Sequence, residues 1–247
     1  HDALPISKGK KGTDFAEAPY LKTADQVAVL AKEAWDRGAT EVCLQGGIHP
    51  DFTGHTYLDI CRAVKDLVPE MHIHGFSPLE VSHGAETLGV SVSNFLRQLK
   101  DAGLSTLPGT AAEILTDEVR VLICPDKLNS EQWLSSIEEA HKLDLPTTAT
   151  IMFGHVDTYH DWAIHLQKIL KLQLKTGGLT EFVPLSFVAE EAPIFKRGLS
   201  RSGPTLRESI LMHAVSRLVL HPHVKNIQAS WVKMGLEGVN LCLHAGA

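Results

Sequence analysis

The sequence predicts an α/β fold on a parallel sheet, a complete or partial TIM-type (β/α) barrel. Three observations carry this expectation. Short apolar runs alternate with longer amphipathic segments over the whole chain, and a helix between two strands returns the chain so that the strands pair in parallel. The number of repeats suits a barrel better than an open doubly wound sheet. No Gly-x-Gly-x-x-Gly follows a strand, so a dinucleotide fold lacks its fingerprint.

Each element follows from its period and its stop signals. Ala24 to Arg37 puts Val27, Leu30, Ala31, Ala34 and Trp35 on one helical face and ends at Gly38, after which Glu41 to Leu44 reads as a strand. Tyr57 to Leu67 is a second helix, Met71 to Gly75 a strand, and Ser91 to Ala102 a helix closed by Gly103. Thr106 begins a short strand or turn. Ser130 to Lys142 is a helix with Ser130 as its cap, Thr147 to Phe153 a β-branched strand, Tyr159 to Leu174 a helix and Phe182 to Phe187 a strand. Thr205 to Leu220 is the last long helix and Asn226 to Trp231 the last strand.

A chain of 247 residues, 44% of them hydrophobic, is long enough for one large core and is most simply a single domain. The net charge of -6 comes without a long basic run, which argues against nucleic acid as a partner. No apolar stretch reaches membrane-spanning length, and the first residues have neither the basic flank nor the apolar core of a signal peptide. A reducing, cytoplasmic location is expected. The four cysteines, Cys43, Cys61, Cys124 and Cys242, show no CxxC-type spacing, so no metal ligand set is assigned within this chain.

Barrel chemistry sits at the C-terminal ends of the strands. The segments there are polar or glycine-rich: Gln45-Gly-Gly-Ile-His-Pro50, His74-Gly-Phe-Ser-Pro-Leu-Glu80, Pro108-Gly-Thr-Ala-Ala-Glu113, Met152-Phe-Gly-His-Val-Asp157, Pro184-Leu-Ser-Phe187 and Gln228-Ala-Ser-Trp-Val-Lys233. The first is the most informative, because two glycines remove both side chains and let a ligand approach bare peptide groups.

The ordered set QGGIHPDFTG, HGFSPLE, PGTAAEIL, ICPDKL, IMFGHVD, TGGLTEFVPLSF, EEAPIF, GPTLRESILMHAV and NIQASWVKMG resembles the tyrosine-using component of FO synthase, a radical S-adenosylmethionine (SAM) family of deazaflavin cofactor biosynthesis. The resemblance runs from about Ser7 to the end, as one barrel body over residues 7–247. The menaquinone-pathway radical SAM enzymes (aminofutalosine synthase or futalosine cyclase type) share Gly-His-Val and Thr-Gly-Gly; the Glu181-Phe-Val-Pro184, Ala192-Pro193 and Trp231-Val-Lys233 wording favours the FO synthase branch.

The resemblance implies a transferase of a definite kind. A [4Fe-4S] cluster reduces SAM to methionine and a 5′-deoxyadenosyl radical, which abstracts hydrogen from L-tyrosine. The tyrosine Cα–Cβ bond then breaks, and its 4-hydroxybenzyl group adds to 5-amino-6-(D-ribitylamino)uracil. A second FO synthase component is expected as a partner or fused domain. Matched residue by residue, Gly46 and Gly47 fall on the superfamily's Gly-Gly motif, whose backbone meets the SAM amino group. Ser77, Glu113 and Met152 match positions that contact SAM, and His74, His155, Glu181 and Gln228 are substrate-site candidates; no catalytic residue is singled out. A His orients a phenol or uracil, and a Gln both donates to and accepts from a uracil edge.

The chain departs from the family at its start. The family places a CxxxCxxC cluster loop just before the Ser7 to Lys10 segment, and this chain has none. Residues 1–6 do not resemble the family, and Ala3 to Ile6 matches what a common sequencing-adapter string encodes. The expectation is an incomplete reading of a longer gene, lacking the first strand and cluster loop and stopping early at Ala247, and inactive alone. Two alternatives from the residues themselves are a cluster-free barrel that binds SAM or a nucleoside, and a metal-dependent hydrolase using His72 and His74, which share one strand face.

Overall fold

The computed structural model describes residues 4–5, 7–8, 20–190 and 192–247. The chain divides into two compact units, His1–Pro108 with Ser135–Pro146 and Gly109–Leu134 with Thr147–Ala247. The expected non-family start lies outside the described residues except for Leu4 and Pro5.

The first unit contains β1 (Leu4–Pro5), β2 (Ser7–Lys8), β3 (Tyr20–Leu21), α1 (Ala24–Asp36), β4 (Glu41–Gln45), α2 (Gly54–Leu67), β5 (His72–Gly75), α3 (Pro78–Thr87) and α4 (Val92–Asp101). Strands β1, β4 and β5 form a parallel sheet in that order, and β2 pairs antiparallel with β3. Val42, Leu44 and Ile73 alternate into a core with Val27, Ala28 and Ala31 of α1 and Leu58, Cys61 and Val64 of α2. Each large aliphatic side chain buried this way contributes about 1.5–3 kcal/mol. The intervening residues Glu41, Cys43, Gln45, His72 and His74 lie half-exposed on the other face. The register sets Glu41 beside His72 and Cys43 beside His74, so the face that the core does not use is polar.

The second unit begins with α5 (Asp117–Ile123), and α6 (Ser130–Lys142) starts in it and finishes in the first. It continues with β6 (Thr147–Phe153), α7 (Tyr159–Thr176), β7 (Leu179–Ser186), α8 (Pro193–Lys196), α9 (Leu206–Leu220), β8 (Asn226–Ile227) and α10 (Trp231–His244). Strands β6, β7 and β8 are parallel in that order. Ala149, Ile151 and Phe153 of β6 and Phe182 of β7 are buried, with Trp162, Leu166 and Ile169 of α7.

Two expectations need correction. Ser130 is not the cap of α6: Asn129 and Gln132 exchange side-chain and backbone bonds (Gln132 N to Asn129 Oδ1, 2.8 Å; Asn129 N to Gln132 Oε1, 3.0 Å), which closes a capping box one residue earlier. Ser130 instead donates both its N–H (2.8 Å) and its hydroxyl (2.6 Å) to Asp117 Oδ1. The last strand stops at Ile227, because Trp231 opens α10. Periodicity also leaves out α3, α5, α8 and α10. Of these, α3 carries a plain local signal, Ser77 as N-cap, Pro78 at the first helical position and Glu80 closing the box.

Candidate functional site

In the first unit the turn after β4 is gathered onto one buried carboxylate. Glu80, 2% exposed, accepts from Gly46 N at Oε1 (2.8 Å) and from Ser77 N (2.8 Å) and Ser77 Oγ (2.7 Å) at Oε2. Gly47 N–H adds to the same carboxyl group. Burial pushes the Glu80 pKa up, while these donors pull against it. With both N–H groups of the Gly pair turned to Glu80, the pair meets a ligand through carbonyl oxygen; Gly47 O accepts from Tyr57 Oη at 3.5 Å and keeps a second lone pair. Gly47 is exposed, has φ +62°, and a Cβ built on it meets nothing within 4 Å among the described residues beyond its chain neighbours. Phe76, between β5 and Ser77, is also left-handed at φ +64° although it is not glycine. Such strain concentrates where the surroundings fix an unusual backbone.

On the half-exposed face of the same sheet, His72 Nε2 and His74 Nδ1 both meet Thr106 Oγ1, at 2.8 and 2.7 Å. His72 Nε2 also lies 3.6 Å from Glu41 Oε2. Burial lowers the His74 pKa. His72 and His74 thus share a face as expected, but no group of three or more His, Cys, Asp or Glu side chains among the described residues is arranged to hold a metal ion.

In the second unit the segment ahead of α5 is gathered onto a buried cation. Arg120, 3% exposed, donates to the carbonyls of Ala112, of Ile114 (3.2 Å), of Ala111 (3.3 Å) and, through Nε, of Leu128 (3.0 Å). Trp133 Nε1 adds a bond to Thr110 O at 3.1 Å. The segment is left-handed at Ala111 (φ +59°) and Glu113 (φ +47°). Gly109 precedes it where a Cβ would run into the Thr148 carbonyl oxygen. Glu113 then points its carboxylate at Lys127 Nζ, 2.6 Å away, and its carbonyl accepts from Met152 N at 2.7 Å.

Met152 is in turn tied to His155, whose Nε2 meets the Met152 carbonyl at 3.0 Å, while Val156 N donates to His155 Nδ1 at 2.8 Å. Because Val156 N–H donates to Nδ1, the ring proton sits on Nε2 even though Asp157 Oδ1 lies 3.1 Å from Nδ1. Burial lowers the His155 pKa, as a neutral ring requires. Asp157 closes the same turn, accepting from Gly154 N (2.9 Å), His155 N (2.7 Å) and Trp162 Nε1. Near the start of β7 and just after β8, Gln228 Nε2 donates to Glu181 Oε2 at 2.7 Å, and His213 Nε2 meets the Gln228 carbonyl at 3.1 Å.

The candidates therefore group within each unit. Gly46, Gly47 and Ser77 converge on Glu80, His74 sits beside His72 on Thr106, Glu113, Met152 and His155 form one bonded run, and Glu181 pairs with Gln228. Sequence reading missed Glu80, Thr106, Arg120, Lys127 and Asp157. Two of these had a local signal, Glu80 in its capping box and Asp157 as an N–H-accepting Asp in a turn two residues after His155.

Residues 9–169 match the model described as the radical SAM superfamily. The chain belongs to the radical SAM superfamily. Residues 176–247 match a second model, the CofH/MqnC C-terminal region. Among curated radical SAM relatives, the chain is 50% identical to FO synthase of Streptomyces coelicolor over 92% of its own length and 26% of that protein. It is 49% identical to the 5-amino-6-(D-ribitylamino)uracil--L-tyrosine 4-hydroxyphenyl transferase of Methanopyrus kandleri, over 92% of this chain and 62% of that one. The transferase of that name from Methanocaldococcus jannaschii is 46% identical, over 92% of this chain and 64% of its own. The chain thus spans less than two thirds of each of these proteins. Among solved structures, methylornithine synthase (PylB) matches with a TM-score of 0.69 at 16% identity over 94% of this chain and 62% of that one. HydG, a maturase of the [FeFe]-hydrogenase, matches with a TM-score of 0.70 at 14% identity over 94% and 50%. The radical SAM fold, a partial TIM-type barrel, is therefore the fold of this chain, as its alternating elements imply. No described helix is long and apolar enough to cross a membrane.

Proposed function

We propose that the gene product carrying this chain transfers the 4-hydroxybenzyl group of L-tyrosine to 5-amino-6-(D-ribitylamino)uracil, using SAM. The observation that carries this reading is the 46–49% identity to transferases of that name over 92% of the chain, which favours it over the menaquinone-pathway alternative. A second FO synthase component, separate or fused, belongs to the same proposal, supported by the chain's 26% share of the Streptomyces FO synthase.

SAM supplies the radical in this superfamily when a [4Fe-4S] cluster is bound. The cysteines of this chain do not fit that cluster. They are far apart in sequence, Cys43 and Cys61 in one unit and Cys124 and Cys242 in the other. Burial raises all four thiols, Cys43 to about 11 and Cys61 to about 12, whereas a cluster ligand must be a thiolate.

The chain's own residues bind and orient. In this reading, Glu80 occupies the N–H groups of Gly46 and Gly47, so that their carbonyls accept from the ammonium group of SAM; Ser77 acts through Glu80, as a positioning residue. Glu113, held by Lys127, offers its carboxylate to the hydroxyls of SAM, and Met152 borders that position. His155, with both ring nitrogens engaged by its own turn, keeps the Met152 carbonyl in place rather than meeting substrate. Gln228 retains its Oε1 and a second N–H beyond the bond to Glu181, which matches the donor and acceptor edge of a uracil. His74 faces the phenol or the uracil. Holding reactants this way supplies orientation, the protein's share of cofactor chemistry.

The test is anaerobic reconstitution of the complete gene product with iron, sulfide, reductant, SAM, L-tyrosine and the ribitylaminouracil, with products read by mass spectrometry. The expected result is 5′-deoxyadenosine together with a 4-hydroxybenzyl adduct of the uracil. SAM cleavage that leaves tyrosine untouched would overturn the substrate assignment.

A further inference from the structure

Thr106 has one hydroxyl proton and two histidine nitrogens within hydrogen-bond distance, His72 Nε2 at 2.8 Å and His74 Nδ1 at 2.7 Å. A hydroxyl donates once and accepts up to twice, so at least one of these contacts runs from ring N–H to Thr106 Oγ1; the two rings are the only hydrogen-bond partners of Oγ1 among the described residues, so the arrangement that also uses the hydroxyl proton runs the other contact from Thr106 O–H to ring nitrogen. Glu41 decides the direction. Its Oε2 lies 3.6 Å from His72 Nε2, and a carboxylate beside a ring nitrogen favours the proton on that nitrogen. His72 Nε2–H therefore donates to Thr106, whose own O–H turns to His74 Nδ1. A neutral imidazole that accepts at Nδ1 carries its proton on Nε2.

From this juxtaposition we infer that Glu41, His72 and Thr106 are positioning residues that lock His74 in the Nε2–H tautomer, so that His74 presents a hydrogen-bond donor on the half-exposed polar face of the sheet. Among the described residues Nε2 of His74 has no hydrogen-bond partner, and His74 itself is half-buried, so the donor is available. Burial holds the ring neutral; a protonated ring would also turn Nδ1 into a donor and break the order of the chain of bonds. A fixed N–H selects an acceptor, such as a phenol oxygen, a carboxylate or a uracil carbonyl, and rejects a group that can only donate. The choice of substrate atom rests on the proposed function, whereas the tautomer does not.

The experiment separates the two. Long-range ¹H–¹⁵N correlation spectra of the 247-residue chain, labelled on its histidine rings and assigned with His74→Gln, report which nitrogen of His74 bears hydrogen. The expected spectrum has a pyridine-type Nδ1 and a pyrrole-type Nε2. Thr106→Val keeps the branched shape but removes the hydroxyl, and should let the Nδ1–H form appear; Thr106→Ser should restore the wild-type pattern. A pyrrole-type Nδ1 in the wild-type chain, or a Thr106→Val spectrum identical to wild type in a folded protein, would overturn the inference. The wild-type and Thr106→Ser spectra decide the matter even where Thr106→Val does not fold. A confirmed tautomer in a gene product that leaves tyrosine untouched would sink the functional reading and leave this one standing.

Discussion

The turn after β4 and the segment between the Thr106 bridge and α5 both contain left-handed backbone, yet they are built on buried groups of opposite sign. At the first, the carboxylate of Glu80 takes up N–H groups of Gly46, Gly47 and Ser77. At the second, the guanidinium of Arg120 takes up the carbonyls of Ala111, Ala112, Ile114 and Leu128. The difference decides what each loop has left to offer. A turn whose N–H groups are spent presents acceptors, which suits an ammonium group. A segment whose carbonyls are spent presents its side chain, here the Glu113 carboxylate. Burying either charge is tolerable only because every polar partner is supplied, so removing one charge exposes the full desolvation cost of the groups it served.

The largest effect is expected at the cationic loop. Arg120→Met leaves several buried carbonyls without a donor and should cost about 3 kcal/mol or more, at roughly 1–3 kcal/mol for each unsatisfied group. Arg120→Lys should recover only part of it, because a point ammonium cannot reach carbonyls arranged for a planar fork. Urea denaturation measures both, and a loss below about 1 kcal/mol for Arg120→Met would show that the guanidinium is not what holds the segment.

The anionic loop should yield less to its isostere. Glu80→Gln keeps one acceptor oxygen but sets an NH₂ group against Gly46 N–H or the Ser77 donors, at a cost of about 1–3 kcal/mol. A variant as stable as the parent would mean that Glu80 is already carrying a proton and donating, which the four donors around it argue against.

A third contrast lies in pH. His165 of α7, fully buried, accepts from Leu115 N at 3.0 Å, and burial holds its pKa down to about 3 against an ordinary 6.5. A base whose pKa is depressed in the fold binds fewer protons there than in the unfolded chain. Its stabilising effect is therefore complete above pH 6.5 and is lost as pH falls toward 3. The slope is about 1.4 kcal/mol per pH unit for one proton. His165→Gln keeps an acceptor for Leu115 and should flatten that acid slope, read from urea midpoints at several pH values; an unchanged slope would assign acid sensitivity to the other buried histidines.

Periodicity made most of the fold legible, because an amphipathic helix such as Ala24–Asp36 and a β-branched strand such as Thr147–Phe153 carry their burial pattern in the order of residues. It failed at α10, where the run Asn226 to Trp231 reads as one strand although the backbone turns into a helix at Trp231. Leu236 and Val232 there are exposed, so no one-sided pattern marks the helix. The strand-end motifs fall in loops that the fold gathers onto Glu80 and Arg120. The residues that hold those loops were hidden: Arg120 is an ordinary helical arginine in α5 until the fold brings four carbonyls around it. Thr106 is equally silent, since its meaning depends on two histidines 32 and 34 residues away.

The claim that the Gly46–Gly47 turn offers its backbone to SAM is tested most directly by equilibrium binding of SAM to the complete gene product and to its Gly47→Val variant. Among the described residues beyond its two chain neighbours, a Cβ at Gly47 meets no atom within 4 Å, so a loss of affinity arises from the ligand side and from the cost of a branched residue at φ +62°. The account predicts binding weaker by at least about tenfold, roughly 1.4 kcal/mol. An unchanged affinity in a folded variant would contradict it and return the glycine pair to the role of a tight turn.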